Sequence, residues 1–460
     1  AKNIASDDGV FFTPKSLVKM IVNVLEPKKG ILLDPACGSG GMFVQTGDFV
    51  NHAGMSANAA MTFYGQEKVE YNAQLCLMNM AVHGLNGKIL SGNEANTFYN
   101  DAHSLEGCCD YVMANPPFNV DKVKSESAMN AGRLPFGVPS INAAKEFGNG
   151  NYLWISYFYA YLNEKGRAGF VMASSATDSS GKDRDIRQKL VETGHVDVMM
   201  SVGNNFFYTK SLPCSIWFFD KGKAEAIQDH VLFIDARNYY TVVDRTLNEW
   251  SEWQLKNLNA IVWLYRGEVE KYQNLLREYG DAIGEMTHAL RESCEPLCAL
   301  LADGAAGHVR GNLPFGEPDL EALKERLNWE LDVIKKAVAI SKEELPKKQH
   351  KRMDQAAEEF AAQIREILLV LQEHTWLYEK FGEGEYQDIP GLCKMASRAE
   401  IAEKNYSLTP GAYVGVAAVE DDGVDFAQRM GEIHSELLKL QAESNELMQT
   451  ISKNMKEMGL

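Results

Sequence analysis

Apolar and polar positions follow two rhythms along the first half of the chain. Short apolar runs, "ILLD" (31–34), "MTFYGQ" (61–66), "KILSGN" (88–93), "DYVMAN" (110–115), "AGFVMAS" (168–174) and "VDVMMSV" (196–202), have the make-up of buried strands. Between them lie stretches of helical period such as "VEYNAQLCLMNMAVHG" and "RDIRQKLVETG", the latter stopped by Gly194. Strands alternating with helices of this length predict an α/β fold around a doubly wound, mostly parallel sheet. "CSIWFFD" (214–220) and "VLFIDAR" follow one another without a helix, which predicts an antiparallel hairpin at the sheet's end.

After Trp250 the rhythm becomes purely helical. Segments 251–291 and 318–381 are rich in Glu, Lys, Leu and Ala and predict long helices, paired antiparallel across the Gly/Pro-containing "ADGAAGHVRGNLPFGEPDL". Pro346 should break the second of them, leaving the basic "EELPKKQHKR" as a solvated loop, with a phosphate contact as the alternative. Near the end, Phe426, Met430, Ile433, Leu437, Leu440, Leu447, Ile451 and Met458 follow a 4–3 spacing, interrupted by Ser444 and Asn454. That is a heptad seam, suited either to the chain's own helices or to another subunit. The expected division is a catalytic domain over 1–250, a long-helix region over 251–400 and a docking segment over 401–460.

Composition adds bounds. With 45% hydrophobic and 24% charged residues among 460, a substantial core is expected. No run reaches the ~18 apolar residues of a membrane span, and the start, "AKNIASDDGV", has no signal-peptide pattern, so a cytoplasmic location is expected. Eight scattered cysteines lack the paired spacing of a zinc site and read as reduced structural thiols, with no metal expected. The net charge of −17 disfavours a simple nucleic-acid binder, yet residues 1–250 carry only −4 of it. A local basic groove is therefore compatible with the first half.

Candidate chemistry gathers at strand ends. After "ILLD" comes "PACGSGG", so Asp34, Pro35, Ala36, Gly38, Ser39 and Gly40 form a glycine-rich turn between a strand and a helix. In open α/β sheets ligands bind at that position, where glycines admit close backbone approach and helix-start N–H groups receive a carboxylate. Phe43 stands where a dinucleotide fingerprint would place its third glycine, which disfavours NAD. Glu67 ends the next strand, at the place for a carboxylate that accepts from ribose hydroxyls. Asn93 or Glu94, after the third strand, is within reach of an adenine edge. The fourth candidate strand runs into Asn115, Pro116, Pro117 and Phe118.

These strand ends together resemble the S-adenosylmethionine site of class I methyltransferases, and "NPPF" matches the motif of those that methylate a planar amide or exocyclic amine nitrogen. Such a nitrogen is a poor nucleophile because its lone pair is delocalised. The resemblance implies that the Asn115 side-chain oxygen and the Pro116 carbonyl accept its two N–H bonds and aim the lone pair at the methyl group, by positioning and electrostatics alone. Phe118 offers a face on which an extruded base can stack.

"GVFFTPKSLVKMIV" is similar to the cofactor-contacting segment of adenine-specific DNA methyltransferases, through Phe12, Thr13 and Pro14, with Thr13 capping a helix and Pro14 in its first position. The downstream order, from "NYLWISYFYAYLNEKGRAGFVMAS" to "NNFFYTKSLPCSIWFF", resembles the methylation subunit of type I restriction–modification systems. By position Phe207, with Phe206 second, is the late aromatic that stacks on the base's other face. That resemblance implies double-stranded DNA as substrate, a specificity subunit and a restriction subunit as partners, and a second copy of this chain in the complex. Methylation of a protein glutamine or an RNA guanine amine, or a scaffold without catalysis, are the competing readings.

Overall fold

The computed structural model describes residues 12–208, 211–313 and 319–417, together with isolated positions between 430 and 448. Residues 1–415 form one compact unit and 416–460 a second.

The first unit is built on a nine-stranded mixed sheet. Its strands are β1 (Gly30–Asp34), β2 (Met61–Glu67), β3 (Gly87–Ser91), β4 (Cys109–Ala114), β5 (Leu162–Ala173), β6 (Val196–Val202), β7 (Cys214–Asp220), β8 (His230–Asp235) and β9 (Cys393–Ser397). Across the sheet they run β9-β8-β6-β7-β5-β4-β1-β2-β3. Central strands are apolar on both faces, as a sheet covered by helices on both sides requires; every residue of β7, for instance, is buried. Helices α1 (Lys15–Leu25), α2 (Gly41–His52), α3 (Glu70–Val82), α4 (Asn151–Tyr161) and α5 (Lys182–Glu192) belong to this half.

All six strands expected from the first-half runs are present, and the sheet is mixed. The antiparallel element sits elsewhere than anticipated. β7 lies inside the sheet, antiparallel to both β5 and β6, while β8 pairs in parallel with β6. "CSIWFFD" and "VLFIDAR" are thus not partners of one another. The all-buried pattern of β7 explains this, because an edge hairpin would have left one side in water.

The second half contributes α6 (Glu252–Tyr265), α7 (Val269–Ser293), α8 (Asp303–Asn312), α9 (Leu320–Glu344) and α10 (Lys347–Phe381). The chain does break at Pro346, but the basic cluster after it forms the first turns of α10 rather than a solvated loop. Pro346 holds a non-helical ψ of 138°, typical of a helix entry, and buried Met353 anchors the new helix. The Gly/Pro-rich segment also contains a helix, α8, because Ala305, Ala306 and Val309 present one buried stripe.

These helices are fixed to the sheet by buried polar contacts. Arg266, capping the end of α6, donates to Asp197 of β6 at 2.8 Å and to the Val24 carbonyl of α1 at 2.8 Å. Asn257, fully buried, donates to Tyr239 Oη at 3.0 Å and to the Glu373 carbonyl of α10 at 3.0 Å, and accepts from Tyr279 of α7 at 2.8 Å. The chain then returns to the sheet as β9, antiparallel to β8. "NYSLTPGAYVGV" follows: Tyr413 stacks on Phe233 of β8 with ring centroids 3.9 Å apart.

In the second unit, the described positions from Met430 to Met448 are helical, and Met430, Leu437, Leu440 and Leu447 of the seam are exposed. Phe426, Ile433, Ile451, Asn454 and Met458 lie outside the described residues. Among the described residues no helix is long and apolar enough to cross a membrane.

Candidate active site

The sheet order places β4, β1 and β2 side by side, in parallel and in close register, with Leu33 opposite Val112 and Asp34 opposite Gly65. Asp34, Glu67 and Asn115 therefore stand at three adjacent carboxyl ends, where the connections leave to opposite sides of β1. A cavity of about 1710 Å³ opens above them. Single small-molecule sites commonly span about 300–1,000 Å³, so this one has room for two ligands. Phe12, Thr13, Asp34, Pro35, Ala36, Gly38, Ser39, Glu67, Asn115, Pro116, Pro117, Phe118 and Phe207 all line it.

One end is the glycine-rich turn. Gly38 has φ of +50°, with nothing within 4 Å of the position a Cβ would take, so the open side of the turn is bare backbone. Gly40, which does not line the cavity, has a different duty. A Cβ there would lie 2.7 Å from Cys76 Sγ, so glycine lets α2 start hard against α3. The carboxylate of Glu67 accepts from Gly38 N–H at 3.0 Å and Val69 N–H at 2.9 Å, joining the turn to the tip of β2. Asp34 is buried, and its Oδ1 accepts from Ala36 N–H at 3.0 Å. Burial, with the nearby Glu67 charge adding to it, pushes the Asp34 carboxyl up to about 8. The wall also contains a buried amide oxygen, Asn72 Oδ1, with no hydrogen-bond partner.

At the other end, Asn115 Nδ2 donates to Thr13 Oγ1 at 3.1 Å. The amide nitrogen is thereby engaged and Oδ1 is left as the acceptor. Thr13 does not cap α1: the residue before that helix is Pro14, which is buried, stands off the cavity and makes no side-chain cap. Phe118 and Phe207 face each other edge to face, with centroids 6.2 Å apart. Phe206, the second choice, is instead a core residue packed on Trp250 at 4.8 Å.

Asn93 and Glu94 are exposed and do not line the cavity. They sit on a single turn of 3-10 helix that buries Ala95, which turns both side chains outward. After the third strand the wall is made by Ala95, Asn96, Thr97, Phe98 and Tyr99. Thr97 Oγ1 accepts from Gln66 at 3.1 Å and donates to the Pro35 carbonyl at 2.5 Å, so it locks the first two strand ends together.

The turn that carries Asn115 has a brace the sequence reading missed. Asn119, at φ of +56°, donates its N–H to Asn151 Oδ1 at 2.8 Å. Its own Oδ1 accepts from Asn151 at 2.9 Å and Asn149 at 3.1 Å. The spacing "GNGN" before an aromatic helix was the available signal. Among the described residues no cluster of His, Cys, Asp or Glu is arranged to hold a metal ion.

The sheet order, the cavity over its carboxyl ends and the asparagine-led turn define a class I methyltransferase fold. The N-6 DNA methylase family model matches residues 1–277, and the chain belongs to that family. The methylase subunit of the type I restriction enzyme MjaIX from Methanocaldococcus jannaschii is 27% identical over 457 residues, covering 98% of this chain and 60% of that protein. The corresponding HindI subunit of Haemophilus influenzae is 26% identical over 453 residues, covering 98% of this chain and 74% of its own length. The chain thus spans about 60% to 74% of these relatives. Among solved structures, a type I restriction-modification methyltransferase subunit from Streptococcus thermophilus matches with a TM-score of 0.54 at 16% identity, over 90% of this chain and 61% of the other. At that identity the likeness is one of fold.

Proposed function

We propose that this chain transfers a methyl group from S-adenosylmethionine to the exocyclic N6 of adenine in DNA, as the modification subunit of a type I restriction–modification complex inside the cell. The observation that carries the reading is the Asn115 amide, held by Thr13 with its oxygen free to accept, next to the facing pair Phe118 and Phe207.

The residues at the turn fit the cofactor's charges. Asp34 is a buried carboxyl on the cavity wall that forms no ion pair among the described residues, a setting suited to an ammonium group. Gly38 and Ser39 offer backbone for the carboxylate end, and Glu67 keeps acceptor capacity for ribose hydroxyls. Phe12 lines the same cavity, and Thr13 stands at its other end beside Asn115. Asn96, rather than Asn93, becomes the candidate for the adenine edge. Once bound, the cofactor supplies an electrophilic methyl group on a sulfonium. The Asn115 oxygen and the Pro116 carbonyl accept the amine's two N–H bonds and favour a more tetrahedral nitrogen, while Phe118 and Phe207 supply the aromatic wall on which the extruded ring stacks. Pro117 stiffens the turn.

We assign catalysis to residues 1–250, with the helices of 251–400 as its support and the terminal segment as a docking element for a specificity subunit. A restriction subunit and a second copy of this chain complete the assembly. The test is incubation with tritiated S-adenosylmethionine and DNA free of adenine methylation, with and without a specificity subunit. Label recovered as N6-methyladenine is expected. Label on protein glutamine or on guanine, or none in any arm, would replace the reading with one of its competitors.

A further inference from the structure

Beside the base end of the cavity stands a small antiparallel ribbon, Thr241–Asp244 paired with Leu247–Glu249. Its turn lines the cavity through Asp244, Thr246 and Leu247. On its outer side Val242 is 64% exposed and Val243 49%, although neither valine gains anything by standing in water. The register shifts between Val242 and Asp244, so Val243 falls at a bulge, which re-aims side chains at sheet edges. Arg245 is exposed at the turn.

The ribbon is held to the residue expected to stack on the base. Asn248, buried, donates its backbone N–H to the Asn205 carbonyl at 2.7 Å and its side-chain amide to the Asn204 carbonyl at 3.0 Å. Those two carbonyls belong to the turn that leads into Phe206 and Phe207. Phe206 packs on Trp250 and, at 6.1 Å, on Tyr240, the residues that flank the ribbon. Ribbon and Phe207 are therefore tied through the same turn, with Phe207 lining the cavity and the valines exposed to solvent.

Resting on the function proposed above, we infer that this ribbon is the wedge that enters the duplex where the adenine leaves it. Extraction of a base leaves an unstacked gap, and proteins that distort DNA fill such gaps with apolar side chains. Val242 and Val243 supply that apolar surface, and Arg245, which shares the ribbon with Asp244 and Glu249, is the cation placed to meet a flanking phosphate. Duplex DNA is the occupant that matches apolar tip, adjacent cation and continuity with the base cavity at once.

The test compares the double variant Val242→Ser with Val243→Ser, assembled with its specificity subunit, on two substrates. One carries the target adenine fully paired; the other places it opposite an abasic site, where little pairing has to be broken. On paired DNA the variant should methylate roughly tenfold or more slowly, the scale of losing compensation for one unstacked step, and the 2-aminopurine fluorescence rise at the target should shrink. On the abasic duplex it should stay within about twofold of the unsubstituted complex, because base extraction is no longer limiting. Equal loss on both substrates, or no loss on either, overturns the wedge. If the unsubstituted complex methylates neither, the functional reading falls and the wedge with it. Both valines are exposed, so folding is not at stake, and an unchanged melting temperature would verify that.

Discussion

Asn115 and Thr13 meet across 102 positions of sequence, the amide nitrogen donating to the threonine hydroxyl at 3.1 Å. On the proposed function, that bond sets which end of the amide faces the acceptor amine. Thr13→Val should therefore lower kcat by the worth of one positioning hydrogen bond, about 0.5–1.5 kcal/mol, with KM for DNA little changed. Thr13→Ser should restore it. An equal fall in the serine variant would show that the methyl group's packing matters and the bond does not.

In the proposed mechanism, replacing Asn115 with Ala removes the acceptor at the reacting nitrogen. A loss of roughly 10²–10³ in kcat is expected, by analogy with removal of one preorganised group at a transition state. Cofactor affinity, read by calorimetry, should stay within a few-fold. Near-normal methylation by this variant would move catalysis elsewhere in the cavity.

Glu67→Ala should weaken S-adenosylmethionine binding by about 1–3 kcal/mol, the scale for hydrogen bonds to a charged group. The same carboxylate braces the turn through Gly38 and Val69, so Glu67→Gln, which keeps one acceptor oxygen, should show a smaller defect. Unchanged affinity in both variants would remove Glu67 from the cofactor contacts.

Asp34 sets a pH dependence of its own. Burial pushes its carboxyl up to about 8 in the folded protein, well above the ordinary carboxylate range. The folded chain thus holds a proton that the unfolded chain releases, so stability from this group is fully present below about 3.8 and lost as pH rises through about 8. Asp34→Asn should raise the melting temperature of the free chain above neutral pH while impairing cofactor binding. A cationic cofactor group stabilises the ionised form, so binding near pH 7 should release a proton. Calorimetry in buffers of different ionisation enthalpy measures that release, and a null result would separate Asp34 from the ammonium.

A chain at −17 is poorly suited to hold a polyanion by itself, since phosphate neutralisation supplies most non-specific DNA affinity. The chain alone should bind DNA weakly and gain specific binding with a specificity subunit. Deleting residues 424–460 should prevent that assembly and leave cofactor binding intact. Full co-purification of the truncated chain would disprove the docking role of the seam.

The sheet was legible because strands such as "AGFVMAS" and "VDVMMSV" bury both faces and so read as uninterrupted apolar runs. β9 was not, because "CKMAS" is short and half polar, and becomes a strand only against β8. Asp34, Glu67, Asn115 and Phe118 were found at strand tips, where turn residues interrupt the apolar pattern. Thr13's part was misread, since a Thr-Pro pair signals a cap locally and its real partner is remote in sequence. Asn93 was misplaced for a related reason: which way a turn points its side chains depends on what packs beneath it, here Ala95.

The return of the chain as β9 also has a consequence for biosynthesis. β8 is complete at Asp235, but the strand that covers its outer edge is made only from Cys393 onward, after all the helices of the second half. At about 5–20 residues per second, the ribosome leaves that edge without its partner for roughly 8–30 s. An open, apolar strand edge is a template for pairing with other chains. Nascent chains emerging close together on one message would be most at risk from β8, and slow translation through 252–392 would lengthen the hazard rather than relieve it.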